Sequence, residues 1–241
     1  MSRRQLNILI AATLAVAGCA HAQAGKDLVF GTSHDENSPH FLYASAYLEQ
    51  LCAESGQRCT LRSLPGLRAE AMLASGALAG EMGRIKGYIL RHPDYVRLDD
   101  PFVVSHTRIF TLASKDITSW ESLAKNVKTV SYKRGIFLYQ QRLEALRPAI
   151  LPHEVQSEAA CLQMVLAGRD DACVFDDGGI SADARSMLAQ GHSSVSVEDL
   201  PLYIYLGKSQ AALAPSLSDA ARRLAARGLP AQLHRKFYEA K

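Results

Sequence analysis

The stretch "GRDDACVFDDGG", residues 168–179, sets four aspartates within eight residues around an apolar core. Carboxylates so placed hold a metal ion, pass a proton or grip a ligand's cation, and one that ends a buried strand must be solvated, paired or used. Asp170 and Asp171 precede the apolar run, at a turn, and read as structural, whereas Asp176 ends the run and reads as functional. The following Asp177-Gly178-Gly179 also suits a turn or a helix cap. An internal repeat supplies a cation at the matching position. Gly76 and Gly168 each close a helix before a strand, and eight residues beyond them stand Arg84 and Asp176. Ligands of open parallel sheets lie beyond the carboxyl ends of the strands, so one half of the chain offers a guanidinium and the other a carboxylate. Glu81, three residues before Arg84, is a competing partner for that guanidinium.

Other polar groups fall at strand ends. Ser33, His34 and Asp35 follow the first strand, where exposed amides ahead of a helix favour an anion or a polar group. Tyr132, Lys133 and Arg134 end a strand of the second half and complete its wall. Trp120 reads as packing. Ser122-Leu123-Ala124-Lys125 matches S-x-x-K without the companion S-D-N and K-T-G elements. No H-E-x-x-H, G-x-S-x-G or phosphate-binding glycine loop occurs, so neither a metal nor a cofactor is expected.

The hydrophobic pattern supplies the scaffold. A strand over 28–31, a helix over 40–54 behind Ser38-Pro39, a strand over 59–64, a helix over 68–74 and a strand over 80–85 give a βαβαβ order. That order implies a parallel sheet with right-handed crossovers. After Phe102 the plan restarts, with strands over 107–114, 128–132 and 172–175. Between them lie a helical turn over 120–124, a helix stopped by Pro148 and a helix over 158–167. A strand over 203–206 and helices over 217–226 and 230–238 complete the chain.

The first 22 residues differ in kind. Arg3 and Arg4, the apolar run 8–17 and the small residues of Ala20-His21-Ala22 form the three parts of a secretory leader, with cleavage expected after Ala22. Val16-Ala17-Gly18-Cys19 offers the alternative of a lipid on Cys19. The run is shorter than the roughly 20 residues of a membrane-spanning helix, so the mature protein is expected to be soluble and exported. The leader arginines carry much of the formal +3 charge, and the remainder speaks against nucleic acid as a partner. Beyond Cys19 four cysteines remain, an even number suited to an oxidising compartment. Cys52 and Cys59 flank a short helix-to-strand turn, within disulfide reach. Cys161 and Cys173 are each roughly 10 Å from the turn between them, and either bridge or stay as two buried thiols. Free thiols are the expectation for this second pair, and neither pair has zinc-site spacing.

In this order, the strand 28–31, the Cys52/Cys59 pair, "LASGALAGEMGRI", "SWESLAKNVKTVSYKRG", "LAGRDDACVFDD" and "ARRLAARGLPAQLHRKFY" resemble the periplasmic solute-binding proteins of amino-acid ABC transporters, family 3 with the type II fold. The resemblance implies an α/β protein of two lobes, each a mostly parallel sheet flanked by helices, with a two-strand hinge. Behind the leader 1–22, lobe 1 would comprise 23–103 and 199–241, and lobe 2 would comprise 104–198. By the same likeness Asp171 is the structural turn aspartate, Asp176 meets a ligand's ammonium group and Arg91 receives its carboxylate. Arg84 is a rival for the last role. The chain departs from the family at Gly135-Ile136, where Gly-Thr is usual, and at Ala79, which replaces a turn aspartate. The first loop passes from Ser33-His34-Asp35-Glu36 straight into the helix.

The function so implied is that of a monomeric periplasmic protein that is not an enzyme. It would capture a small polar solute, amino-acid-like or carboxylated, by lobe closure and deliver it to an inner-membrane ABC permease. Fold does not fix function, and two alternatives share this scaffold. One is a cyclohexadienyl-dehydratase-like enzyme with Asp176 or His34 as general acid, and the other is a ligand-sensing module for a membrane receptor.

Overall fold

The computed structural model describes residues 27–239, so the leader, its cleavage site and Cys19 lie outside the described residues. The first half runs through β1 (Leu28–Thr32), α1 (Pro39–Glu54), β2 (Cys59–Ser63), α2 (Gly66–Ala74) and β3 (Gly80–Ile85). A 3-10 turn (Lys86–Leu90) and the short β4 (Val96–Arg97) follow. The second half holds β5 (Val103–Thr111), α3 (Trp120–Asn126), β6 (Thr129–Lys133), α4 (Phe137–Glu144), β7 (Leu151–Val155), α5 (Glu158–Leu166) and β8 (Ala172–Asp176). It ends with α6 (Ala182–Leu188) and β9 (His192–Ser193). Then come β10 (Glu198–Leu206), a second 3-10 turn (Lys208–Leu213), α7 (Ala214–Ala226) and α8 (Leu229–Tyr238).

Local chemistry sets where these helices begin. Ser38, Ser119, Ser157 and Ser181 each take the N-cap position of α1, α3, α5 and α6 and accept a backbone N–H with the side-chain oxygen. Along α1, Tyr43, Ala44, Tyr47, Leu48, Leu51 and Cys52 recur at helical spacing and are all buried, which makes one face of this helix core.

The strands form a sheet in the order β2-β1-β3-β10-β5-β8-β6-β7. β1 lies parallel to β2 and β3, and β6 lies parallel to β7 and β8. Between these two parallel parts run β10 and β5, antiparallel to each other and to their outer neighbours β3 and β8. Each parallel part has its own core. One unites Phe30, Leu51, Met82 and Ile204 with Leu217, Leu224 and Leu233, so α7 and α8 pack with the first half although they follow the second. Ile109, Leu123, Val130 and Leu143 form a core on one side of the second part, and Phe110, Leu162, Val165 and Phe175 on the other. The protein is thus a two-lobed α/β structure whose sheet layers are covered by helices on both faces. Among the described residues, no helix is long and apolar enough to cross a membrane.

Several boundaries differ from the sequence reading. β5 stops at Thr111, whose hydroxyl donates to the carbonyl of Ala113 at 2.8 Å and turns the chain before residue 114. β7 escapes the pattern because it contains Pro152 and is largely exposed. It pairs with β6 alone, at the end of the sheet, where proline is tolerated. Both cysteine pairs are bridged. Cys52–Cys59 ties the end of α1 to the start of β2, with Cα atoms 6.0 Å apart. Cys161–Cys173 ties α5 to β8 at 5.4 Å, which corrects the expectation of two free thiols. Their near-equal distance from the intervening turn brings two fully buried sulfurs face to face. Two bridges fit an oxidising compartment.

Candidate functional site

The carboxyl ends of β3 and β8 meet at a cavity of about 360 Å³. Arg84, Arg91, Ser33 and His34 line it from the first lobe, and Ile136, Tyr139, Glu158 and Asp176 from the second. Ser105 of β5 and Leu200 and Leu202 of β10 form its floor along the crossing strands. A second cavity of about 320 Å³ lies beside it, bounded by Ser33, Asp35, Lys133 and Arg134. Between the two, the lobes touch backbone to backbone: a Cβ atom on Gly66 would lie only 3.0 Å from the carbonyl oxygen of Gly135.

The four aspartates of residues 168–179 each have a partner. Asp170 pairs with His153 Nδ1 at 2.7 Å. Asp171 accepts the backbone N–H groups of Lys128 at 2.7 Å and Thr129 at 3.0 Å, which fastens the start of β8 to β6. These bonds hold its carboxyl below the usual range. Asp177 pairs with Arg108 at 3.0 Å. Asp176, 5 % exposed at the end of β8, receives His40 Nε2 from the other lobe at 2.8 Å and the N–H of Gly178 at 3.2 Å. Burial would raise the Asp176 carboxyl, but the adjacent His40, with help from His34 and Ser105, outweighs it and brings it to about 2. The imidazole is itself fixed, since its Nδ1 bonds the hydroxyl of Tyr238 in α8.

The opposite wall is also paired. Arg84 donates from Nε at 3.1 Å and from Nη2 at 2.6 Å to the two oxygens of Glu81, a fully buried carboxylate that also accepts the Tyr88 hydroxyl at 2.7 Å. Such a two-point grip is the strong form of this interaction. Arg91 donates from Nη2 alone, to Glu70 at 3.1 Å, while its guanidinium lies 4.1 Å from the ring centre of Phe137 across the cleft. Lys133 reaches from β6 to Glu158 at 2.8 Å, to the carbonyl of Ser33 at 2.9 Å and to Asp35 at 3.3 Å. Burial pushes the Glu158 carboxyl up against the pull of that ammonium. His34 exposes its remaining surface to the cavity; burial, then His40, with Lys133 and Arg84 adding to them, takes it down to about 3 against the opposing Asp176. It is neutral at physiological pH.

The structure therefore brings Arg84, Arg91, Ser33, His34 and Asp176 around one cavity and places Asp35, Lys133 and Arg134 at its neighbour. Tyr132 borders neither, because its ring lies in the second lobe's core and its hydroxyl bonds Glu154 at 3.0 Å.

No family model matches the chain. An uncharacterized protein of Shewanella oneidensis is 29% identical over 200 residues, which cover 80% of this chain and 75% of that one. Among solved structures, an ancestral amino-acid-binding protein, a precursor of cyclohexadienyl dehydratase, superposes with a TM-score of 0.69 at 19% identity, covering 88% of this chain and 95% of its own. A histidine kinase sensor domain similar to periplasmic binding proteins gives 0.72 at 15%, covering 89% and 97%. The substrate-binding protein of an amino acid ABC transporter gives 0.69 at 14%, covering 89% and 100%. The fold is that of the type II periplasmic binding proteins. Within this periplasmic-binding-protein fold, the cavity occupies the crevice at the carboxyl ends of the strands, where open α/β sheets take ligands.

Sequence reasoning missed His40, Tyr238, Ser105, Tyr139 and Glu158. His40 carries a weak signal, since a histidine just inside a helix that opens at the crevice is a candidate partner for any carboxylate there. Tyr238 carries none, because only the folding of α8 against α1 brings it to His40.

Proposed function

We propose that the protein is an exported periplasmic solute-binding protein that encloses a small carboxylated solute between its lobes. The observation that carries this reading is the cavity itself, walled by both lobes and presenting two arginines. A volume of about 360 Å³ falls in the ordinary range for small-molecule sites. Arg91 is the ligand arginine in this reading, because Arg84 is committed to Glu81 through two nitrogens and Arg91 to Glu70 through one. The start of α4, which no side chain caps, lines the same space, and a helix N-terminus favours negative charge. The lobes comprise 23–103 with 199–241, and 104–198, and they hinge where β5 and β10 cross. Hinge closure is then stabilised by ligand contacts to both lobes. The closed, monomeric protein presents its solute to an inner-membrane ABC permease.

The reading is one of binding and not of turnover. Every carboxylate at the cavity is paired by a cation or an imidazole, which leaves no free acid beside the solute. A thermal-shift screen of the mature protein against organic acids and amino acids tests it, since a ligand that binds only the folded state raises the melting temperature. A carboxylate that raises it and is recovered unchanged is the expected result. A panel without any such compound, or one converted to product, would contradict the proposal.

A further inference from the structure

We infer that the cleft selects a carboxylate that lacks an ammonium group and carries an apolar body, because the chain supplies its own partner for Asp176. This deepens the proposed solute-binding role and rests on it.

Asp176 is the acidic group that a ligand's cation would seek from the second lobe. Its Oδ2 is taken by His40 at 2.8 Å and its Oδ1 by the Gly178 amide at 3.2 Å. His40 is held from several sides. Its backbone N–H donates to the Gly178 carbonyl at 2.9 Å, its Nδ1 engages Tyr238 and its ring is 2 % exposed. Gly178 is matched to this arrangement, since a Cβ there would lie 2.6 Å from the imidazole. An ammonium group brought to Asp176 would have to expel a packed ring or share one carboxylate with it.

The remaining acids give no second choice. Glu158 is held by Lys133, Glu81 by Arg84 and Tyr88, and Glu70 by Arg91. An ammonium group in this cavity would be buried without a carboxylate of its own, and a buried charge without a counter-charge is strongly disfavoured. Between the polar ends the walls are Ile85, Ile136, Leu138, Leu200 and Leu202, which match hydrocarbon. The cleft thus joins donors for a carboxylate to an apolar chamber, with its one second-lobe aspartate already partnered inside the fold.

Matched pairs that differ only at the α-carbon test the inference. Calorimetric titration compares 3-phenylpropanoate with phenylalanine and hexanoate with norleucine, using the mature protein. The acid without nitrogen is expected to bind at least ten-fold tighter in each pair. Equal or tighter binding of the amino acid would overturn the inference while leaving the solute-binding role standing. Binding of neither member of either pair would overturn the inference, and the wider thermal-shift panel then decides whether the solute-binding role falls too. In His40→Ala, checked for folding by circular dichroism, Asp176 is released and the ratio is expected to fall toward or below one. If His40→Ala does not fold, the wild-type ratios alone decide.

Discussion

At the scale of single residues, the Asp176–His40–Tyr238 chain is the most informative feature, because it joins a strand end of one lobe to two helices of the other. Removing one member of a buried pair leaves an uncompensated charge, so His40→Ala is expected to lower stability by about 3 to 5 kcal/mol in denaturant melts. The same pair sets an acid limit. The Asp176 carboxyl is depressed from 3.8 to about 2 on folding, so it contributes stability above pH 3.8 that is lost as pH falls toward 2. Melts between pH 5 and pH 2 should show this loss in the wild type, and a smaller one in Asp176→Asn. An equal loss in both would remove Asp176 from the account. The position of this aspartate is legible in the sequence from the apolar run that it ends. Its partner is only weakly so, because His40 lies in another lobe and is marked by nothing more than its place at the start of a helix that opens at the crevice.

Elements place these residues, and here the sequence is most readable where a repeat exists. Gly76 and Gly168, both in the left-handed region with φ of 75° and 65°, end a helix and release a strand toward the crevice. Superposing the two units predicts that Arg84 and Asp176 share a site, and both line the same cavity. Glu81, the competing partner expected from its place three residues before Arg84, is buried beside it and takes its guanidinium in the folded lobe. The short α6 and the exposed β7 leave too little periodic hydrophobicity to read. The Cys161–Cys173 bridge is an element-scale device, since it locks α5 to the strand that carries Asp176. With a sequence separation of 12, replacing both cysteines by alanine is expected to cost about 2 to 3 kcal/mol, measured by denaturant melts under oxidising conditions. No change in stability would show the bridge to be absent in solution.

In the whole molecule, two lobes come together around a small chamber. Their direct contacts include His40 on Asp176 and Gly178, Asn37 on Ala182, Lys133 on Ser33 and Asp35, Arg91 over Phe137, and Gly66 against Gly135. The last is the simplest to disturb without touching a charge. Gly66→Val places bulk where even a Cβ lies 3.0 Å from the Gly135 oxygen, so the lobes must stay further apart. Small-angle scattering should report a larger radius of gyration for this variant, with its melting temperature little changed. An unaltered radius would mean that this contact does not limit closure. The measurement that bears most directly on the central claim is calorimetric titration of the best carboxylate into wild type and Arg91→Ala. Arg91 is partly exposed, its side chain 34% accessible, and its removal leaves Arg84 and Glu81 paired, so the fold should persist. Loss of the guanidinium is expected to weaken binding by about 2 kcal/mol, roughly 30-fold. Equal affinity in the two proteins would contradict a solute held in the cleft by its carboxylate.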